Sequence, residues 1–502
     1  MTFAEERASR IQLKNLNCER KDFIIEFPLV MDKDPGQLII KIPQTYDPDK
    51  HKCFIYKVPP ELRKVNHDAY TPMLISIGPF HHKDEKLKNM EKLKQRYLED
   101  ACRRTKKSRE ELARCIGKNE ETIRHYYAES FDISPKDFID MILLDSIFII
   151  EHLWRTTRTS LKSCSSNGTS SPQIEECILD KQNPRLSYSI LQDLILLENQ
   201  VPFCVLEDLY NSAYGDLPDQ HTTYQQNGHK DEDKSFHKLV LDYFLHFWDD
   251  FGLNCSFDDY KKILPGKEKQ AGHFIDFLRY LLLPCNRKCG KSIRRLPCAT
   301  KLAEAGVEFR EVPNRLFHDI QFQKSCLLEK CPCLNLSWLL SCFPCFKCLE
   351  NMQPVLEIPS FTVGDVTERV IRNLMAFEQC HYLEEAYICN YIVLLDHLIN
   401  TAEDVDLLVE KKVLVNWLGS NKAVEILINR LSQQIVECNR SHYYELSEQL
   451  HGHYENCWNK LMASFTSLYF RDFWRGTATV AGILLLFFAF MNFLRPFVFF
   501  HR

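Results

Sequence analysis

The sequence predicts a mainly α-helical protein: a single large helical array with a few short N-terminal strands, followed by one C-terminal transmembrane helix. Apolar residues recur at helical spacing in several long stretches of the 502 residues. Only 16 residues are Gly, which argues against many tight β-hairpins and against Gly-rich phosphate-binding loops. The run from Gly476 to Leu494 has no charged side chain. At about 1.5 Å per helical residue, it matches a hydrocarbon core of roughly 30 Å.

Charge, the N-terminal sequence and cysteine content argue against a nucleic-acid-binding protein and against a secreted, disulfide-bonded protein. Lys and Arg number 63 and Asp and Glu number 68, so the formal net charge is −5 and no nucleic-acid partner is expected. The N-terminus is charged and lacks the apolar stretch of a signal peptide. Most of the 21 Cys stand singly in apolar helical patterns, so we expect buried reduced thiols rather than disulfides.

The first elements along the chain are a leader, two strands and a helix. Residues 1–52 are polar and irregular, which predicts a loosely attached leader. Phe54–Val58 and Met73–Ile77 alternate or run apolar between Pro residues, as is typical of short strands. Asp84–Cys102 has its apolar residues on one stripe and predicts an amphipathic helix.

Two apolar helices are expected at the centre of the domain. The first begins at a capping box in which Ser134 precedes Pro135 and Asp137, and it is apolar nearly all round. The second covers Ser187–Val201 and is ended or kinked by Pro202.

Two polar stretches, residues 155–176 and 215–234, predict exposed loops within this helical array. They separate helical patterns without marking independent domains, so residues 53–470 are expected to form one domain. Its later helical patterns are Phe236–Phe251, Ala271–Leu283, Asp365–Asn400 and Glu445–Tyr469.

The uncharged C-terminal run predicts that the protein is located at a membrane. Arg475 and Arg495 bracket it, as suits the two interfaces of a bilayer, whereas the alternative, a buried core helix, is usually shorter or amphipathic. The tail, residues 495–502, is too short to fold. We therefore expect a single-pass protein of the plasma membrane or an endomembrane. The segment Gly476–Leu494 would bind the membrane, and the bulk domain would lie in the cytosol.

Eight motifs in order resemble a plant-specific family known as domain of unknown function 247. They are Phe54-Ile-Tyr-Lys-Val-Pro59, Tyr70-Thr-Pro72, Ser76-Ile-Gly-Pro-Phe-His81, Met141-Ile-Leu-Leu-Asp-Ser-Ile-Phe-Ile-Ile-Glu151, Asp193-Leu-Ile-Leu-Leu-Glu-Asn-Gln-Val-Pro-Phe203, Ala299-Thr-Lys-Leu-Ala-Glu-Ala-Gly-Val307, Asn373-Leu-Met-Ala-Phe-Glu-Gln-Cys380 and Tyr469-Phe-Arg-Asp-Phe-Trp474. The resemblance implies a plant protein, usually membrane-associated, with no established biochemical activity. Some members of that family are implicated in self-incompatibility in grasses and others in growth or stress responses, so the resemblance implies a role of one of these kinds.

Residues 320–350 depart from the usual pattern of that family by carrying a cluster of cysteines. The cluster consists of Cys331, Cys333, Cys342, Cys345 and Cys348. Thiolates at such spacing could hold zinc tetrahedrally, although no cofactor is otherwise indicated. The apolar residues between them suit S-acylation equally well, and unliganded reduced thiols are the third interpretation.

Four carboxylates stand in otherwise apolar helical patterns, namely Asp145, Glu151, Glu198 and Glu378. Buried carboxylates are unfavourable unless they are paired or protonated. One interpretation is therefore a hydrolase-like site that uses raised pKa values for acid–base work. The other is a buried hydrogen-bond network that fixes helix packing, and no nucleophile or His is spaced to complete a catalytic set.

The function expected from these observations is protein interaction, in signalling or recognition, without catalysis. The polar stretches 155–176 and 215–234 would contact an unidentified protein partner, because recognition commonly lies on loops carried by a rigid scaffold. A solvent-connected pocket that joined the carboxylates would favour the hydrolase, whereas carboxylates bound to backbone N–H groups or Arg in a dry core would favour the scaffold.

Overall fold

The computed structural model describes nine stretches of the chain: residues 53–163, 184–215, 235–247, 271–283, 289–312, 319–324, 353–436, 439–469 and 473–499. All of them belong to one unit, Lys52–Arg502. The leader and the five clustered cysteines Cys331, Cys333, Cys342, Cys345 and Cys348 lie outside the described residues. So do residues 164–176 and 216–234 of the two predicted loops, and residues 500–502 of the tail.

Most of the described residues are helical, as the apolar spacing predicted. The helices before the strands are α1 Pro60–Val65, α2 Glu91–Thr105, α3 Arg109–Gly117, α4 Glu120–His125, α5 Pro135–Ser163, α6 Pro184–Leu194, α7 Phe203–Tyr214, α8 Phe236–His246, α9 Phe274–Leu281 and α10 Ala299–Glu304. Those that follow are α11 Thr367–His381, α12 Tyr387–Leu398, α13 Ala402–Glu410, α14 Asn421–Leu431, α15 Tyr444–Glu455, α16 Cys457–Tyr469 and α17 Phe473–Phe499.

Five short strands form two small sheets in the described part of the chain. They are β1 Glu308–Glu311, β2 Gln321–Gln323, β3 Val355–Ile358, β4 Phe361–Val363 and β5 Leu414–Asn416. Strand β3 lies between β1, to which it is parallel, and β2, to which it is antiparallel. Strands β4 and β5 pair in parallel.

The strands predicted near residues 54–80 are wrong. That region makes one isolated bridge, between Ile55 and Tyr127. Its backbone is extended and partly buried, which explains the apolar alternation. However, the N–H groups of Val58, Leu74 and Ile77 bind the side chains of Glu198, Asp193 and Asn199 instead of a neighbouring strand.

Helix α5 lies at the centre of the core and begins as predicted. The side-chain oxygen of Ser134 accepts a hydrogen bond from the N–H of Asp137 at 3.2 Å, which caps the first turn. From Met141 to Leu153 every residue is buried, and α2, α3, α7 and α8 pack around the helix. It continues to Ser163, beyond residue 155, where the first polar loop was predicted to begin.

The second central helix is shorter than predicted. Helix α6 ends at Leu194, and residues 195–202, which we call the buried loop, are non-helical and fully buried. The amide of Asn199 donates to the carbonyl of Asp193 at 3.0 Å, and that of Gln200 donates to the carbonyl of Leu194 at 2.6 Å. These side chains satisfy the last carbonyls of α6, so the helix can end there without exposing them to water.

The predicted transmembrane helix at Gly476–Leu494 lies in α17. Among the described residues, no helix has both the length and the apolarity needed to cross a membrane. This finding contradicts the predicted transmembrane helix and the single-pass membrane localisation. The prediction relied on length and on the absence of charge. Thr477, Thr479 and Asn492 nevertheless place polar side chains inside the run and lower its apolarity.

Gly78 provides a test of how tightly the buried loop packs. Its φ is +71°, and a Cβ there would lie 2.6 Å from the carbonyl oxygen of Gln200. We expect Gly78→Ala to lower the free energy of unfolding by about 2–4 kcal/mol, through left-handed strain and displacement of the loop. Gly452→Ala in α15 is the control, since a Cβ there meets nothing within 4 Å. It should stabilise by about 0.5–1 kcal/mol. Urea unfolding measures both, and equal midpoints for the two variants would contradict the packing described.

Candidate functional site

The candidate site is built around the buried loop, which connects α6 to α7. Such a loop must find partners for its backbone without water, because an unsatisfied buried polar group is costly. The amide oxygen of Asn373, on α11, accepts a hydrogen bond from the N–H of Leu197 at 2.9 Å. The amide oxygen of Gln200 accepts one from the N–H of Phe274 at 3.1 Å, so the loop is bound to the start of α9.

Asp193 and Asn199 hold the extended segment 73–78 against the buried loop. The carboxylate of Asp193 accepts hydrogen bonds from the three N–H groups of Met73–Ile75, at 2.7–2.9 Å. The amide of Asn199 accepts from the N–H of Ile77 at 2.7 Å and donates to the carbonyl of Ile75 at 3.0 Å. The two side chains therefore take the place that a neighbouring strand would occupy.

Glu198, the first of the four predicted site carboxylates, points from the buried loop towards residues 58–81. It lies 2.6 Å from Arg63 and 3.1 Å from Nε2 of His81, and it accepts a hydrogen bond from the N–H of Val58 at 2.7 Å. Burial acts to raise its pKa, but the hydrogen bond from His81 and the charge of Arg63 outweigh burial and lower it. Glu198 is therefore held as a carboxylate.

Asp145, the second, lies in the middle of α5 and is 1% exposed. One oxygen is 2.6 Å from Nζ of Lys94, and the other accepts a hydrogen bond from the N–H of Gly78 at 2.8 Å. Burial raises the pKa of the Asp145 carboxyl, whereas the charge of Lys94 opposes the rise. Lys94 also donates to the carbonyl of Ser76 at 2.6 Å, so this pair fixes the same segment that Asp193 holds.

Glu151, the third, lies between cations further along α5. Nη1 of Arg104 contacts both of its oxygens at 2.5 and 2.6 Å, and Nε of Arg155 donates to it at 3.1 Å. The hydroxyl of Tyr214, on α7, also donates to it. Arg155 continues the network to Asp100 at 2.9 Å, which ties α2 to α5.

Glu378, the fourth, is fully buried on α11. Nε of Arg279 donates to one oxygen at 3.1 Å, and the N–H groups of Ile388 and Cys389 donate to the other at 2.9 and 3.0 Å. These two N–H groups belong to the first turn of α12, where donors otherwise lack partners. Burial raises the pKa of Glu378, and the charge of Arg279 opposes the rise.

The four carboxylates are therefore not assembled into one site. Glu198 and Asp145 both bind residues 58–81, Glu151 binds α2 and α7, and Glu378 binds α9 and α12. Within the described residues, each has its own cation and no two share a hydrogen-bonding partner. The partners Arg63, Lys94, Arg104 and Arg279 could not be identified from spacing. Each of the four lies at least 47 residues from its carboxylate.

A surface groove of about 210 Å³ lies between α3, α4 and α7, apart from these carboxylates. Its polar lining consists of Asn119, Thr122, Tyr126 and Asp208 together with the thiols of Cys115 and Cys204. Within the described part of the chain, no three His, Cys, Asp or Glu side chains are grouped so that they could hold a metal ion. The five clustered cysteines lie outside that part, and their zinc site stays a prediction.

Comparison with known proteins gives a family but no activity. A family model described as DUF247, plant protein of unknown function, matches residues 55–488. UPF0481 protein At3g47200 of Arabidopsis thaliana is 25% identical over 452 residues, which cover 87% of this chain and 84% of that protein. Putative UPF0481 protein At3g02645 of the same plant is 22% identical over 514 residues, which cover 88% and 90%. No solved structure matches.

The buried pair of Glu378 and Arg279 provides a test of whether the carboxylates are structural. Glu378→Gln keeps the shape but leaves the Arg279 charge buried without its counter-charge, which should lower the free energy of unfolding by about 3–5 kcal/mol. Glu384→Gln removes an exposed carboxylate that pairs with Arg440 at 3.0 Å, and it should change stability by about 0.5 kcal/mol or less. Urea unfolding of both variants measures this. Similar small changes would show that the buried pair does not stabilise the fold.

Two fully buried histidines predict acid sensitivity. Burial lowers the pKa of His152 and of His273 from 6.5 to about 3, so below pH 6.5 the unfolded chain binds protons that the folded chain does not. The free energy of unfolding should then fall, as the pH drops from 6.5 towards 3, by about 1.4 kcal/mol per pH unit for each histidine. Asp276 opposes this in part, because burial raises its pKa to about 6 and the folded state holds that proton.

Urea unfolding between pH 7.0 and 5.0 measures the slope. His152→Gln should flatten it, whatever the variant does to stability at pH 7.0, and Gly452→Ala, which changes no titratable group, should leave it unchanged. An unchanged slope in His152→Gln would show that this imidazole does not carry the effect.

Proposed function

We propose that the chain, which belongs to the DUF247 family of plant proteins of unknown function, binds a protein partner and does not itself catalyse a reaction. The observation that carries this proposal is the state of the buried carboxylates. Every oxygen of Asp145, Glu151, Glu198 and Glu378 faces a cation, a backbone N–H, a hydroxyl or, for one oxygen of Glu198, the imidazole of His81. A carboxylate whose oxygens are all occupied cannot also take a proton from a substrate without breaking the packing around it.

The groove between α3, α4 and α7 gives no support to a small-molecule enzyme. Its volume of about 210 Å³ is below the roughly 300–1,000 Å³ of ordinary ligand sites. None of the four carboxylates lines it. Among the described residues, neither this groove nor the packing of the four carboxylates favours the hydrolase interpretation.

The residues that would recognise the partner are the polar stretches between α5 and α6 and between α7 and α8. Helices α5, α7 and α8, which carry their ends, pack on one another in the core. Tyr214, at the end of α7, is bonded to Glu151 of α5, so the stretch that follows Gly215 starts from a fixed point. Polar sequence carried on a rigid support is a common arrangement for recognition.

The test replaces residues 166–176 and 219–231, separately and together, with Gly and Ser of equal length. Full-length and replaced chains are expressed in plant cells with a proximity-labelling enzyme, and the enriched proteins are identified by mass spectrometry. The strongest candidate is then purified and its Kd for each chain is measured by calorimetry. We expect replacement to weaken binding at least tenfold with a thermal midpoint within about 2 °C, since the core is untouched. Glu384→Gln, a surface change elsewhere, should bind as the unaltered chain does.

Equal binding by the replaced chains, or no protein that binds the full chain directly, would overturn the proposal. A hydrolytic activity of the full chain that Glu198→Gln abolishes at unchanged thermal midpoint would overturn it in favour of the enzyme.

A further inference from the structure

Helix α2 and the turns on either side of it present a positively charged surface. Of the exposed charged side chains between residues 83 and 106, seven are basic and two, Glu85 and Glu99, are acidic. The seven basic side chains, which we call the basic face, are Lys83, Lys86, Lys88, Lys92, Arg96, Arg103 and Lys106. This balance is opposite in sign to that of the whole chain, whose formal net charge is −5.

The excess arises in part because Asp100 of α2 turns towards the core. Asp100 is 4% exposed and lies 2.9 Å from Arg155 of α5. Glu91, whose side chain is 37% exposed, accepts a hydrogen bond from the buried ammonium of Lys94 at 2.6 Å, so its charge is paired. The inward charges of α2 are therefore used in holding it on α5, while its outward charges are left mostly of one sign.

Most of the basic face has no counter-charge in the described part of the chain. Lys88 pairs with Glu85 and Arg103 pairs with Asp100, whereas the remaining five side chains make no ion pair there. Lys92 and Arg96 are four residues apart on one side of α2, a spacing at which like charges destabilise a helix slightly. Helix stability accounts for Arg103, which lies in the last turn, but not for the neighbouring pair Lys92 and Arg96.

The neighbouring helix α3 shows what an ordinary solvated surface looks like in the same protein. The exposed charged side chains on it and at its C-cap are two acidic, Glu110 and Glu111, and two basic, Arg114 and Lys118. Mixed signs of this kind are common on solvent-facing helices. The excess of exposed basic side chains is therefore confined to residues 83–106 and does not continue onto α3.

We propose that the basic face is a docking surface for an acidic segment of a partner protein. Lys92 and Arg103 are separated by about 16 Å along α2, at 1.5 Å per residue. An extended peptide covers that length in about five residues. The matching partner is therefore a segment that carries several Asp or Glu within about five to eight residues. The basic face lies outside the polar stretches invoked above, so this proposal does not rest on them.

Two other polyanions fit the surface less well. Binding of single-stranded nucleic acid uses exposed aromatic rings for base stacking, and every aromatic residue between 83 and 106 is buried. Interfacial binding to anionic lipid uses large apolar side chains that insert between headgroups, and residues 83–106 expose none. Carboxylates need only accessible cations, which this face supplies.

The test measures binding of a fluorescent twelve-residue peptide with eight Glu to the full-length chain, by anisotropy at 20 mM salt. Lys92→Glu with Arg96→Glu reverses the centre of the basic face. The matched control, Arg114→Glu with Lys118→Glu, makes the same change of net charge on the neighbouring helix. We expect the first pair of changes to weaken binding at least tenfold and the control to weaken it less than twofold, with thermal midpoints within about 2 °C of each other. Raising the salt to 0.3 M should weaken binding by the unaltered chain, because exposed charges are screened.

A peptide in which Gln replaces every Glu should not bind. Equal weakening by the two double variants would overturn the proposal, because only the overall charge would then matter. It would also be overturned by absence of binding at low salt, or by tighter binding of a single-stranded DNA or of phosphatidylserine vesicles that depends on Lys92 and Arg96.

Discussion

Burying a non-helical stretch of backbone imposes one requirement, which is that each of its polar groups needs a partner inside the protein. Residues 195–202 meet this requirement with side chains rather than with a sheet. Asn199 and Gln200 bind the end of α6, and Asn373 reaches the stretch from α11. Asp193 and Asn199 then hold residues 73–78 in an extended form. The helical array is assembled around this loop, because α6, α9 and α11 all supply or receive its hydrogen bonds.

The ionisable groups of the core also need partners inside the protein, and leaving one of them without a partner costs more free energy than leaving a neutral group unpaired. A single buried charge is strongly unfavourable, whereas a charge that meets both a cation and backbone donors is tolerated. Asp145 joins α5 to Lys94 on α2, and Glu378 joins α11 to Arg279 on α9. Each pair connects two helices, so these contacts select one arrangement of the array even where they add little net stability. A catalytic carboxylate requires the opposite condition, with an oxygen left free for substrate.

Local features of the sequence were predictable, whereas long-range partners were not. The cap at Ser134 and the apolar character of α5 can be seen within a few residues, and both are present. The sequence allowed two interpretations of the buried carboxylates, a hydrogen-bonded network in the core and a hydrolase-like site, and did not decide between them. The cation of each could not be named, because Arg63 lies 135 residues before Glu198 and Arg279 lies 99 residues before Glu378. Two errors have the same origin. The predictions of a strand at 73–77 and of a long second helix were both wrong because side chains bind the backbone there, which the apolar pattern does not reveal.

Charge is distributed in this protein according to whether it faces the core or the solvent. Helix α2 shows this most clearly, since Lys94 and Asp100 on its inner side are paired while Lys92 and Arg96 on its outer side are not. Folding alone explains the inner pairs, because buried charges must be compensated. It does not explain two like charges at neighbouring turns in water, where a mixed pair would be slightly more stable. The helix therefore combines a structural side, which holds it on α5, with an outer side whose charges are available to a partner. In a family without an assigned reaction, a surface of that kind is a more direct guide to function than the carboxylates of the core.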